Sequence, residues 1–541
     1  MSQTDARLEP THWDAAGSER ARRRSRMLWL VTLPLAVWYF SWLLHPDRVG
    51  HPVLYGLLLA CEFFNVTQAF GFWWTCSKAK PRPYAPTWTE DIDVDVLIPT
   101  CGEPMSVVEP TLTAALALRG ARVRVWLLDD GPSPEARALA HRLGTEYVRR
   151  PDRRGAKAGS LNNALTLSSA PFVVVFDCDH VPHPSFLERT LGHMADERVA
   201  FVQTPQYYAN ARHGGVASGA WGQQALFFGP IARGKDGLRS MFCCGTNVVF
   251  RRSALLGCGG FPSDSLTEDF ELSIALHEQG WTSAYVAEVL ASGLGPEDMA
   301  SYVSQQDRWA RGCLGAVGRV VRARLPASIK VQYLLSSMFF LTGWTFLVYM
   351  SLPVIRLLTG AQPVAAASAD QFLLHFLPYF GSAIGAVAVA GEGRYTFEAF
   401  TLMVANFWVH VHASVRTLLG RAGSFVVTPK EGAATRQPRS VAPTLVAIGV
   451  LTATALVGLW RDQSAGTLNN VAFALMHVAV LATGAWPALR RTRRPASARR
   501  EESVVVPPQP QPTYAPTLQL SSAEKNYVTW SPIWDEPSSA S

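Results

Sequence analysis

Hydrophobic and polar residues follow two different patterns along this chain. Unbroken apolar runs occur at about 27–44, 52–74, 332–358, 372–390, 398–418, 442–460 and 469–489, each long enough to cross a hydrocarbon core of ~30 Å as a helix. Between the second and third runs, from about 90 to 320, short apolar stretches alternate with helical periodicity. Val94–Pro99, Arg122–Leu128 and Phe172–Phe176 are dense in aliphatic or β-branched residues and end in turn or acidic residues, which predicts strands. Val107–Leu118 and Pro134–Leu143 predict helices between them. Strands alternating with helices predict parallel βαβ units and an α/β domain.

The Lys and Arg positions suggest how such a chain threads a membrane. Basic residues crowd at Arg20–Arg26, Arg322–Lys330 and Arg490–Arg500, each beside an apolar run. By the positive-inside rule these clusters, and with them the α/β stretch and both termini, belong to the cytoplasm. Seven crossings would put the last cluster outside. The run at 398–418 carries Glu398, His410, His412 and Arg416, and is read as an amphipathic helix lying in the cytoplasmic interface; a seventh span is the alternative. Six spans then remain, two before the domain and four after it.

The expected organisation is a basic, disordered N-terminus over 1–26, two spans within 27–75 and a soluble domain over 90–325. Two spans within 326–392, an interfacial segment over 395–438 and two spans within 441–490 follow, and a Pro-rich, disordered tail over 491–541 closes the chain. The first run has no small-residue cleavage site, so no signal peptide is expected.

Composition narrows the classes further. Hydrophobic residues make up 48% and charged residues 17%, and 17 Trp with 26 Phe suit membrane interfaces. The net charge of +7 is placed beside apolar runs, without a recognition motif, so no nucleic-acid partner is expected. The eight Cys include no CxxC pair and predict neither zinc nor a redox couple.

The candidate chemistry lies where the predicted strands end, since an α/β sheet builds its ligand site at those ends. Ile98 to Pro104 (IPTCGEP) follows the first strand, Asp129-Asp130-Gly131 the second, and Asp177-Cys178-Asp179-His180 the third. Two carboxylates spaced as Asp177 and Asp179 can hold a hard divalent ion, Mg2+ or Mn2+, against a diphosphate; the pair alone reads equally as a solvated turn. Thr267-Glu268-Asp269 reads as a helix start, with Thr267 as its cap, and can carry a base as well. Gln305-Gln306-Asp307-Arg308-Trp309 lies just before the third apolar run. There an Arg suits an anionic phosphate and a Trp suits a sugar face.

In this order and spacing the motifs resemble those of processive family-2 glycosyltransferases, whose signature includes Gln-x-x-Arg-Trp. Several stretches resemble bacterial cellulose synthase catalytic subunits in particular. These are Arg154 to Asn162 (RGAKAGSLN, with Ser160 where that group has Asn), Val202 to Gln206 (VQTPQ), Phe242 to Asn247 (FCCGTN) and Phe425 to Lys430 (FVVTPK), which is similar to a Phe-x-Val-Thr-x-Lys gating loop. The resemblance covers about 93–435.

It implies a GT-A-like, mostly parallel α/β domain in the cytoplasm joined to an α-helical transmembrane channel in the cell membrane. It also implies roles. Asp269 would be the general base, Asp179 the metal ligand, and Asp177 would help to hold the nucleotide. Thr100, Glu103 and Asp130 would contact the uridine portion and Lys157 the diphosphate. Gln305 and Arg308 would support the donor, Trp309 would stack under the acceptor end, and Phe425, Thr428 and Lys430 would close over bound donor.

The implied reaction is inverting transfer from a UDP-sugar onto a growing glycan, UDP-glucose into β-1,4-glucan first. Chitin-, hyaluronan-, mannan- or β-1,3-glucan-type synthesis and non-processive transfer are the alternatives. The implied partners are the donor, the growing glycan, the lipid bilayer and an envelope or secretion subunit. Members of this group often carry a C-terminal domain that binds cyclic di-GMP. About 50 residues follow the last apolar run here, too few for a barrel of that size, so control by cyclic di-GMP through this chain is not expected.

Overall fold

The computed structural model describes residues 15–80, 82, 83, 85, 88, 91–131, 133–213, 215–365, 368–393, 395–420 and 437–490. Ten strands occur among the described residues: β1 Asp93–Thr100, β2 Arg122–Asp129, β3 Glu146–Arg149, β4 Phe172–Val175, β5 Val181–Pro182, β6 Val199–Gln203, β7 Tyr207–Tyr208, β8 Val248–Arg251, β9 Thr282–Tyr285 and β10 Ala291–Gly293. Seven form one sheet in the order β3-β2-β1-β4-β8-β6-β9, and β5-β10-β7 form a smaller one. The large sheet is mixed. β1, β2, β3 and β4 run parallel, as do β6 and β9, while β8 runs against both its neighbours.

The three strands expected from aliphatic runs are its centre, and their composition follows from burial on both faces. Val94, Val96 and Ile98 of β1, Val125 and Leu127 of β2, and Phe172 and Val174 of β4 point into one core with Val108 and Leu112 of the helix Met105–Leu116. The intervening Leu97, Trp126, Leu128, Val173 and Val175 point to the other face, against Ala158, Leu161 and Leu165 of the helix Ala156–Leu167. The helix Pro134–Leu143 is capped by Ser133, whose hydroxyl accepts the Ala136 amide at 3.1 Å.

One strand position breaks the apolar rule. Asp95 is 2% exposed, and its carboxylate accepts from Trp126 Nε1 (2.9 Å), the Ser169 and Ala170 amides (3.1 and 2.8 Å) and Arg252 (2.9 Å). It ties β1 to β2, to the turn before β4 and to the end of β8. A buried charge survives only when paired and hydrogen-bonded in this way.

Among the described residues six helices are long and apolar enough to cross a membrane: Arg22–Leu43, Pro52–Ser77, Ala327–Thr359, Asp370–Ala390, Pro438–Arg461 and Ala465–Leu489. Their outer faces present large apolar side chains such as Met27 (68% exposed), Leu30 (72%) and Trp460 (86%). An aqueous surface does not tolerate that, and lipid does. The chain is therefore a membrane protein.

The run at 398–418 is two helices, Phe397–Ala405 and Phe407–Leu418, broken at Asn406. Asn406 caps the first from its side chain, donating to the Leu402 carbonyl at 2.8 Å. The second packs against Met299–Gly315, the helix that carries the Gln-x-x-Arg-Trp sequence.

Candidate active site

The C-terminal edge of the large sheet opens into a cavity of about 510 Å3. Thr100, Glu103, Asp130, Lys157, Asp177, Asp179, Asp269, Gln305, Arg308 and Trp309 all line it. They come from six separate segments spread over about 210 residues of chain, and the strand ends bring them together. Phe425, Thr428 and Lys430 lie outside the described residues.

Each group has a defined environment. Lys157 sits in the first turn of Ala156–Leu167, after a left-handed Gly155 (φ 71°), and donates to Asp177 Oδ1 at 2.5 Å and to the Gly245 carbonyl at 2.7 Å. Burial alone would lower its pKa, but the carboxylates of Asp177, Glu268 and Asp269 hold the ammonium above its usual range. Burial works against Asp177 likewise, and Lys157 and His180 hold it below the usual carboxylate range.

Glu103 accepts from the Thr100 hydroxyl (2.8 Å) and the Cys101 amide (2.6 Å), which folds the turn after β1 back on itself. Asp130 is clamped by Arg150, which donates from Nε at 2.9 Å and from a terminal nitrogen at 2.5 Å; both side chains are 7% exposed. Arg150 also donates to the carbonyls of Arg154 and Ala156, and so fixes the loop that delivers Lys157.

Asp269 lies in the first turn of Glu268–Glu278. Burial, with the negative charge of Glu268, pushes its pKa up to about 7, against the pull of the Phe270 amide, Lys157 and Arg308. A carboxylate poised near neutrality suits a general base. Thr267 stands at the helix start as expected, but it is not a side-chain cap: its hydroxyl makes no capping bond and is buried without a partner among the described residues. The Ser265 hydroxyl accepts the Thr267 amide at 3.1 Å instead.

The VQTPQ and FCCGTN stretches form the wall between Lys157 and Asp269. Gln203 donates to the Thr246 carbonyl and accepts the Cys244 amide, and the Thr246 hydroxyl accepts the Asp177 amide at 2.8 Å. Gly245 has φ 78°, and a Cβ there would come within 3.0 Å of Asp269 Oδ2.

Asp177, Asp179 and His180 each offer an atom to a common point, all within 4.8 Å of one another. His180 Nδ1 lies 3.3 Å from Asp179 Oδ1, and its Nε2 is buried without a partner among the described residues. Two carboxylates and an imidazole fit Mn2+ or Mg2+ chemically. Sequence reading named the two Asp residues and passed over His180, although it stands next in the chain. Arg150 carried no signal, because it sits in a basic stretch that reads as surface and its partner is 20 residues away.

A profile described as "Glycosyl transferase family group 2" matches residues 172–391. Cellulose synthase 2 of Novacetimonas hansenii is 32% identical over 478 residues, 83% of this chain and 30% of that protein. Residues 172–391 are thus a glycosyltransferase family-2 domain.

Among further relatives, the cellulose synthase 1 catalytic subunit (UDP-forming) of Komagataeibacter xylinus is 30% identical over 80% of this chain and 62% of the relative. The corresponding subunit of Pseudomonas fluorescens strain SBW25 is 31% identical over 71% and 54%. This chain thus spans less than two thirds of the length of these relatives. The mannosyltransferase of Pyrobaculum calidifontis, solved in complex with GDP-Man and Mn2+, superposes with a TM-score of 0.51 at 18% identity over 68% of this chain and 99% of that one, which shows a shared GT-A fold.

Proposed function

We propose that this transferase polymerises a UDP-activated sugar, UDP-glucose into β-1,4-glucan, on the cytoplasmic side of the membrane, and passes the product across it. The observation that carries this reading is the convergence of six separate sequence segments on one cavity, in which Asp269 lies within reach of the charges of Lys157 and Arg308. Identity of 30–32% to cellulose synthases supports glucose as the sugar.

The chemistry needs one base and one departing diphosphate. Asp269 takes the proton of the acceptor hydroxyl as that oxygen attacks the anomeric carbon, the bond from that carbon to the β-phosphate oxygen breaks, and UDP leaves from the opposite face. The configuration inverts, so an α-linked donor gives a β-linkage. Arg308 and Lys157 face the charge that develops on the leaving diphosphate. Asp177, Asp179 and His180 would hold Mg2+ or Mn2+, which when bound neutralises diphosphate charge. Trp309 offers a flat face to the acceptor end beside the membrane helices, where it packs with Ala310, Phe340 and Ala413. Phe425, Thr428 and Lys430 would close over the donor and keep water from it.

The test is UDP release by the purified chain in nanodiscs, with UDP-glucose, UDP-N-acetylglucosamine and UDP-galactose supplied separately and Mg2+ or Mn2+ present. Turnover with UDP-glucose, lost in Asp269→Asn, with product cut by a β-1,4-glucanase, is the expected result. A polymer from another donor would reject glucose and keep the mechanism. UDP release without polymer would reject processivity.

A further inference from the structure

Away from the cavity, where the first two membrane helices meet the sheet domain, lies a small pocket of about 30 Å3. Arg22, Ser25, Arg26, Trp73, Lys80 and Arg233 contribute to its lining. Three donors in this lining are buried with no hydrogen-bond partner among the described residues: Arg22 Nε, Ser25 Oγ and Trp73 Nε1. Ser25 as a whole is 4% exposed. Buried donors are nearly always satisfied in folded proteins, so three unsatisfied donors around one hollow point to an absent acceptor.

Charge says what kind of acceptor. The two carboxylates at the pocket are already engaged, Glu19 with Arg22 and Glu392 with Arg233 at 2.7 Å. Arg26 and Lys80 are exposed at its mouth, and Arg26 donates to the Ser77 carbonyl at 3.1 Å. The lining therefore has two cations in excess, together with unmet donors. A phosphodiester answers both, with one negative charge and several acceptor oxygens.

Size and position say the rest. The hollow has room for about two water-sized groups, enough for phosphate oxygens but not for a whole soluble ligand. Just beyond it on the same helix, Met27 and Leu30 are exposed and apolar. Trp73 packs against Trp29, with ring centroids 5.7 Å apart, beside the basic end of the first membrane-length helix. A ligand with its phosphate in the hollow would lay its apolar remainder along Met27 and Leu30.

We propose that this pocket binds the phosphate of an anionic membrane phospholipid. The lipid docks the first helix pair to the sheet domain through the segment Ala232–Gly237, whose Gly234 packs against the Thr75 backbone.

The experiment is native mass spectrometry of the full chain in mild detergent, titrated separately with phosphatidylglycerol, diacylglycerol and glycerol 1-phosphate. Phosphatidylglycerol should be retained at least tenfold better than the other two. Lys80→Gln and Arg26→Gln should each lower its retention about fivefold, the worth of one interfacial cation. Trp73→Phe, which keeps an aromatic ring and removes the donor, should weaken retention of phosphatidylglycerol while leaving that of diacylglycerol unchanged. Equal retention of diacylglycerol, or retention unchanged by Lys80→Gln, would overturn the site. Glycerol 1-phosphate binding as tightly would overturn the lipid assignment in favour of a soluble anion.

Discussion

Glu268 is the group through which the assignment of Asp269 as base can be tested without touching the base. The Asp269 carboxyl has a pKa of about 7, set by burial and raised further by Glu268. If this group must be ionised to react, about a tenth of the enzyme is competent at pH 6 and about nine-tenths at pH 8, so kcat/KM should rise about tenfold between them. Glu268→Gln removes the neighbouring charge and keeps the shape. Removing one neighbouring like charge from a buried carboxyl is worth roughly 1.4 kcal/mol, a downward shift of about one pH unit. The acid limb should move toward pH 6, and the ratio between pH 8 and pH 6 should fall to about twofold.

The assay is chromatographic UDP release at subsaturating donor and constant ionic strength, and it reads the shape of the profile rather than its height. A ratio that stays near tenfold, or an acid limb that moves upward, would refute Asp269 as the group that titrates. The linkage has a definite sign. A folded-state pKa raised above the unfolded value means that the fold favours the protonated form, so stability from this site is lost as pH rises through about 7. Asp269→Asn should therefore abolish turnover while keeping its thermal transition, and should gain on wild type on the alkaline side.

Three further outcomes follow from the geometry. Arg150→Ala leaves Asp130 charged and unpaired at 7% exposure, so it should raise the donor KM at least tenfold and lower the thermal transition, with Arg150→Lys in between. Asp95→Ala removes the buried acceptor of the Trp126 indole, of the Ser169 and Ala170 amides and of one Arg252 nitrogen, and should cost about 3–5 kcal/mol, read as lost folded yield with no change in donor KM for what folds. Chelation by EDTA should abolish UDP release in wild type, with Mn2+ or Mg2+ restoring it; Asp179→Ala should not be restored at any concentration of either ion.

Some of the molecule is plain from the chain because burial writes itself into composition. β1, β2 and β4 lie within a residue or two of the aliphatic runs at Val94–Pro99, Arg122–Leu128 and Phe172–Phe176, since strands covered on both faces need apolar residues at every position. The helix Pro134–Leu143 is bounded as its Ser133 cap and Gly144 require. Other features leave no local mark. Val248–Arg251 is four residues long, and nothing in VVFR tells whether it runs with its neighbours or against them. The break at Asn406 depends on a polar residue turned back on its own helix, inside a run that composition alone makes continuous. Within the site, motifs flagged the ligand-facing residues, whereas Arg150 acts on Asp130 from a basic loop, and that role exists only once β2 and β3 pair.

The reversed strand also bears on how the protein is made. The β1–β4 half closes through short βαβ returns, which form early and locally. β4, however, waits for β8 about 70 residues later, and β6 waits about 80 for β9, so the second half of the sheet is an assembly of high contact order. Asp269 belongs to that late half and Lys157 to the early one. A nascent chain that has already threaded its first helix pair thus has its cation in place before its base exists. The two meet only after residue 285 has been synthesised, and the helix bearing Trp309 and the third membrane crossing then follow directly.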